Sequence, residues 1–233
     1  MDRGIRIAID GPAGSGKGTA ARLLAARLGY VHIDTGAMYR AITLKAMREG
    51  IGPGEDEALA DLAGRTELRF AGAEHGVDGT PACRLFMDGE DVSGEIRGAA
   101  VTNMVSPVSA VPGVRRILVR LQQELARDGG VVMEGRDIGS TVLPDAELKI
   151  YLDADPEERA RRRCLEESRK GLRPEKEEIR RQIERRDHLD SHRAVSPLRP
   201  APGAIVIDTT QLSIDEVVDR LLALARERGA HVL

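Results

Sequence analysis

The chain has 233 residues, enough for one large domain with insertions, and 41% of them are apolar, an ordinary share for a protein with a buried core. A formal net charge of −3 argues against a surface built to trap nucleic-acid polymers, and no apolar run approaches the roughly 18 residues that span a bilayer. Cys83, Cys164 and five scattered histidines offer no metal-ligand spacing, so a transition metal held by the protein is not expected and the two thiols are expected to be inert.

In chain order, residues 1–4 lead directly into a β-branched run at 5–10, which predicts a strand, leaves no room for a signal peptide and points to a cytoplasmic protein. A glycine-rich turn follows, then a helical spacing of Ala20, Leu23, Leu24, Arg27 and Leu28 over 16–28. A second strand is predicted at 30–33 and a second helix at 36–49. This βαβα opening argues for a parallel sheet covered by helices. Between 64 and 96 the pattern changes to short alternating pieces broken by turns such as Asp88-Gly89, which predicts an inserted antiparallel subdomain.

Beyond the insert, a helix is predicted at 114–127 and strands at 130–133 and 148–152. Asp155 caps a very basic helix, with Pro156 in its first turn and Glu157 and Glu158 at its positive end. Another charged helix is expected at 175–189, a last strand at 204–208 and an amphipathic helix at 213–228. The expectation is a single domain over 1–233. Its core lies at about 1–35, 98–153 and 195–233, its inserted region at about 36–97, and its lid at about 155–175.

The chemistry concentrates at Gly11, Pro12, Ala13, Gly14, Ser15, Gly16, Lys17, Gly18 and Thr19, between the first strand and the first helix. Glycines let backbone N–H groups turn inward around phosphate oxygens, the helix aims its positive end at the same place, and Lys17 adds a point charge. Such a P-loop predicts ATP binding. Gly18 stands where a Ser or Thr hydroxyl next to the lysine commonly meets Mg²⁺, so the ion is expected to come with ATP and lie near Thr19, without a protein cage. Arginine outnumbers lysine 30 to 5. Its planar fork suits phosphate, but coding bias in a chain also rich in Ala and Gly explains the excess equally well.

Six segments in order, IDGPAGSGKGT (9–19), DTGAMYR (34–40), DVSGEIR (91–97), EGRDIG (134–139), RDHLDSHR (186–193) and VSPL (195–198), resemble the bacterial-type cytidylate kinases, and the likeness covers nearly the whole chain. The resemblance implies an α/β P-loop fold, with a central parallel sheet between helices, a small antiparallel nucleoside-monophosphate subdomain and a helical lid. It also implies transfer of the γ-phosphoryl group of ATP to CMP or dCMP. Lys17, Arg136, Arg186 and Arg193 are the implied catalytic residues. Thr35, Tyr39, Arg40, Ser106, Arg115, Arg136, Asp137, Arg186, Asp190 and Arg193 are the implied CMP contacts.

Several of these roles have a chemical reading of their own. Thr35 can bond a base or ribose, or cap a helix; Tyr39 can pack on a ring; Arg40 can hold a phosphate. Asp137 can accept from the exocyclic amine of cytosine. Arg186, Asp190 and Arg193 recur at spacings of four and three, so all three are expected to point from one helical face. Of the arginines at 159, 161, 162, 163 and 169, Arg159 and Arg163 are expected to reach ATP and the others to remain surface charge. No partner beyond nucleotides and no membrane is expected, and a monomer is the default.

Rival readings are a P-loop kinase for another acceptor such as shikimate, a GTPase, or a binding protein without activity. The absence of an NKxD segment disfavours the GTPase. Gly203, where the family pattern suggests Asp, and Ser140 beside Gly139 are departures, neither at a reactive position.

Overall fold

Short apolar runs that end in turns become the strands of one parallel sheet in the computed structural model, which describes residues 4–75, 81–169, 171 and 173–231, with side chains at 72–75 and 81–82 omitted. Residues 1–3, residues 76–80 of the expected insert, and Lys170 and Leu172 of the expected lid lie outside the described residues. Strand β1 (Arg6–Asp10) is central, between β6 (Val131–Gly135) and β7 (Leu148–Asp153); β2 (Val31–Asp34) lies beyond β6 and β8 (Ile205–Asp208) beyond β7. All these pairings are parallel. Both faces of the sheet are covered, which is why β1 reads as an unbroken apolar run.

Alternation along β1 divides that run between two cores. Ile7 and Ile9 pack under α1 (Lys17–Leu28) and α8 (Ile214–Glu227), while Ala8 joins Ile33, Val131 and Met133 on the other face. Helix α8 contributes Val218 and Leu221, both fully buried, each worth roughly 1.5–3 kcal/mol on removal from water. Its start is fixed by a capping box between Ser213 and Glu216.

A second core joins α2 (Thr35–Arg48), α3 (Asp56–Gly64), α4 (Ala99–Ala110) and α5 (Pro112–Leu125), through Ile42, Leu59, Leu62, Val108 and Leu118. Neither α3 nor α4 was legible from periodicity. Helix α4 even contains Pro107, normally a helix breaker; burial of Val101, Val105 and Val108 holds it in place. Val111 is extended, as a residue before proline prefers, and separates α4 from α5.

The insert is antiparallel as expected. Strands β3 (Leu68–His75), β4 (Pro81–Met87) and β5 (Glu90–Asp91) form a small sheet with a register shift between Ala71 and Ala73. Leu85, Met87, Val92 and Ile96 pack it against Leu44 of α2. Helices α6 (Pro156–Arg169) and α7 (Lys176–His192) meet through Ala160, Ile179 and Ile183. The Asp155 carboxylate accepts from Glu157 N at 2.8 Å, so the expected cap of α6 is in place. Cys83 and Cys164 are both free thiols. Among the described residues no helix is long and apolar enough to cross a membrane.

Candidate functional site

The register brings the carboxyl ends of the strands level: Asp10 pairs with Gly135 and Tyr151, and Asp34 with Glu134. Ligands of open α/β sheets collect at this edge. The P-loop leaves β1 there. Gly11 has φ +153, and a Cβ on it would lie 2.1 Å from the Leu152 carbonyl oxygen, so only glycine allows β1 to turn this close to β7. Ser15 is buried and its hydroxyl has no partner. Lys17 opens α1, is 7% exposed and donates to Pro12 O at 2.9 Å. Burial, then the nearby charge of Arg136, pushes its ammonium down to about 7.

Gly18 has a spatial reason. A Cβ there would lie 2.8 Å from Oε1 of Glu134, closer than real Cβ contacts come. The carboxylate at the end of β6 therefore stands where a side chain beside Lys17 would project, and His32 Nε2 approaches the same oxygen at 3.4 Å. Sequence reasoning placed Glu134 inside a motif but assigned it no role. The glycine after the lysine was the available signal.

Opposite the P-loop, two buried carboxylates organise the arginines. Asp137 pairs with Arg115 of α5 and, at 3.1 Å, with Arg193. Asp190 takes Arg136 at 3.0 Å and Ser106 at 3.4 Å, and Arg186 lies 4.0 Å away. Burial lowers the Arg186 guanidinium to about 9, with Arg136 adding repulsion. Burial alone would lower Arg136 too, but Asp190 more than compensates and holds it above its ordinary value. Arg40 is brought down to about 10, first by burial; its charged surroundings include the cation Arg163.

The structure brings the sequence-selected residues together, and four of them have surroundings that spacing did not foretell. The Thr35 hydroxyl donates to Glu134 O at 2.7 Å in a buried position, which leaves its oxygen only as an acceptor; the cap of α2 is Asp34, which accepts from Ala37 N. Tyr39 is 8% exposed, and its ring is faced by the Arg115 guanidinium at 5.6 Å, leaving little surface for stacking on a ligand. Arg40 donates to Ile96 O at 3.0 Å and Thr102 Oγ1 at 2.8 Å, which braces it against the insert. Arg193 does not share the helical face of Arg186 and Asp190: α7 ends at His192, and Arg193 is extended, at φ −64 and ψ 142, reaching Asp137 from the chain that leaves the helix.

The basic helix α6 also divides differently from expectation. Arg159 is buried and donates to Ala13 O at 3.1 Å, as expected of a residue facing the P-loop. Its companion on that side is Arg162, which donates to Ser15 O at 3.3 Å, to Thr209 Oγ1 at 3.0 Å and to Thr209 O at 2.6 Å. Arg163 instead pairs with Glu166 and Glu167 along its own helix, and its charge bears on Arg40 and Arg186. Residues three and four positions after Arg159 flank its face on either side. Periodicity cannot choose between them; the position of the P-loop does.

Below the site, Asp10 accepts from Ile138 N and Gly139 N, both at 2.8 Å, tying β1 to the turn after β6. Burial nevertheless raises its carboxyl to about 6, against the lowering pull of those amides. Among the described residues no group of three or more His, Cys, Asp or Glu could hold a metal ion.

The arrangement is an edge where Lys17, Arg40, Arg136, Arg163 and Arg186 crowd together and three of them are destabilised as cations. Polyanions of phosphate size complement such an edge. Comparison with known proteins agrees. The family model for cytidylate kinase matches residues 7–227. A cytidylate kinase from Desulfitobacterium hafniense (strain Y51) is 50% identical over 98% of this chain and 95% of its own length. One from Geobacter sulfurreducens is 49% identical over 97% of this chain and 94% of its own. The crystal structure of an uncharacterized protein from Eubacterium ventriosum ATCC 27560 shares the fold at a TM-score of 0.50 and 12% identity, covering 96% of this chain and 98% of that one. The chain belongs to the cytidylate kinase family.

Proposed function

We propose that the protein transfers the γ-phosphoryl group of ATP to CMP or dCMP, giving ADP and CDP or dCDP, and that it acts as a single cytoplasmic chain. The observation that carries this reading is the crowding of buried cations between the P-loop and the Asp137–Asp190 pair. Lys17 is pushed down to about 7 and Arg186 to about 9, so each gains when an anion enters. Phosphoryl transfer asks little covalent work of a protein; it needs two nucleotides in line and positive charge where the moving group carries negative charge.

In this reading the P-loop amides and Lys17 orient the phosphates of ATP, while Arg159 and Arg162 close over the loop. Arg136, Arg186 and Arg40 face the acceptor phosphate from the other side. Asp137 accepts from the exocyclic amine of cytosine: Arg115 and Arg193 engage its two oxygens, but a carboxylate has about four lone-pair sites and keeps capacity for a further donor. Asp190 and Ser106 face the ribose. Exclusion of water by α6 would protect ATP from hydrolysis.

Mg²⁺ would accompany ATP. The oxygen donors beside Lys17 fit a hard cation, since the Glu134 carboxylate abuts Gly18 and the Ser15 hydroxyl is unpartnered, while Thr19 is exposed on α1. Glu134 and Ser15 would hold the ion, directly or through water, with Thr19 nearby in sequence, and the ion would neutralise charge on the phosphate oxygens.

The test is ADP release with ATP and Mg²⁺ in the presence of CMP, dCMP, UMP, AMP, GMP or shikimate. Rapid turnover confined largely to CMP and dCMP is expected. Turnover with another acceptor would retain the phosphoryl-transfer reading and overturn the role given to Asp137. ADP release without any acceptor would overturn the kinase reading itself.

A further inference from the structure

Asp187 lies on α7 between two residues of the acceptor cluster, one position after Arg186 and three before Asp190, yet its carboxylate turns the other way. Oδ1 accepts from the amide of Ala13, in the P-loop, at 3.3 Å, and Oδ2 takes the guanidinium of Arg159. Arg159 closes the circuit by donating to Ala13 O at 3.1 Å and Ala154 O at 3.0 Å. The pair is well shielded, with Arg159 8% and Asp187 19% exposed at the side chain. One carboxylate therefore fastens the acceptor-side helix, the crest of the P-loop and the first turn of α6.

We propose that Asp187 is a positioning residue that couples occupancy of the acceptor site to the geometry of the ATP loop. The inference rests on the nucleotide kinase reading given above. Within a helix, residues 186, 187 and 190 move together. When Arg186 and Asp190 engage an acceptor nucleotide, the register of α7 is fixed, and Asp187 transmits that register to the Ala13 amide and to Arg159. Coupling of this kind is reciprocal, so each nucleotide tightens the other by the same factor. A charge-assisted contact suits this role, because it is both stronger and more directional than a neutral one.

The experiment measures the affinity of a non-hydrolysable ATP analogue with Mg²⁺, with and without saturating CMP, and the affinity of CMP alone. In the wild-type protein CMP is expected to tighten the analogue about fivefold or more. Asp187→Asn keeps an oxygen for the Ala13 amide but loses the charge on Arg159. It should bind CMP alone within about twofold of wild type while the coupling factor falls to within about twofold of unity. Asp187→Glu, which restores the charge, should recover part of the coupling. A merely structural residue would lower the melting temperature and weaken both ligands with the coupling factor intact, and that result would overturn the proposal. Wild-type protein that binds both nucleotides without coupling would also overturn it while leaving the kinase reading standing; wild-type protein that binds no CMP would remove both.

Discussion

Lys17 allows the charge imbalance of the site to be read as a count of protons. Burial, reinforced by Arg136 and Arg186, holds its ammonium at about 7 against an ordinary value of 10.5. That displacement corresponds to roughly 5 kcal/mol of preference for the neutral amine, relative to a solvated lysine. At pH 8 about one molecule in ten of the free protein carries the proton. Phosphate oxygens against the amine would supply the missing negative charge, and if they lift the value to about 10 or above, binding draws in about 0.9 proton at pH 8 and about 0.1 at pH 6. The same shift has a signature in stability. Between pH 7 and 10 the unfolded chain holds a proton that the folded one has shed, so this group makes the protein more stable as pH rises through that window. Titration calorimetry of a non-hydrolysable ATP analogue with Mg²⁺, in two buffers of different ionisation enthalpy, gives the proton count as a slope. Lys17→Arg carries a fixed charge and should reduce the slope at pH 8 to near zero. A zero slope in the wild type at pH 8, or an unchanged slope in Lys17→Arg, would refute the reasoning.

Gly18→Ser should displace the Glu134 carboxylate, because its Cβ would lie 2.8 Å from Oε1; kcat is expected to fall about 10- to 100-fold with little change in melting temperature, and full activity with unchanged Mg²⁺ dependence would show that Glu134 is not needed there. Asp10→Asn leaves one of the Ile138 and Gly139 amides facing an NH₂ group, which should cost about 1–3 kcal/mol in denaturant unfolding at neutral pH. Because the folded carboxyl is raised to about 6, its contribution is largest below pH 4 and declines as pH rises to 6, so the gap between wild type and variant should widen on acidification. Arg162→Ala should raise the KM for ATP about tenfold, while Arg163→Ala leaves it within about twofold and lowers kcat; the reverse order in steady-state kinetics would restore Arg163 as the ATP contact.

Local chemistry made the loop from Gly11 to Thr19 legible, because strand, glycine spacing, lysine and helix all lie within twenty residues of one another. The parallel order of the core strands and the antiparallel insert followed from apolar run length, alternation and turn residues for the same reason. Helix α4 escaped because Pro107 masks a segment that only its burial makes helical, and α7 runs three residues past its expected end, to His192. Partner choice was the larger gap. Asp137 meets Arg115 and Arg193 across 22 and 56 residues, and Arg136 meets Asp190 across 54. Spacing says which residues share a helical face, but not which neighbour that face meets. The selection of Arg162 over Arg163, the turning of Asp187 toward Ala13 and the fit of Glu134 against Gly18 all depend on how separate elements pack. The sequence by itself marked the loop from Gly11 to Thr19 as the place suited to phosphate, because glycine spacing, lysine and helix start are local features. Only the tertiary structure decided which charges meet around it, since those pairings are fixed by contacts between segments that share no local pattern.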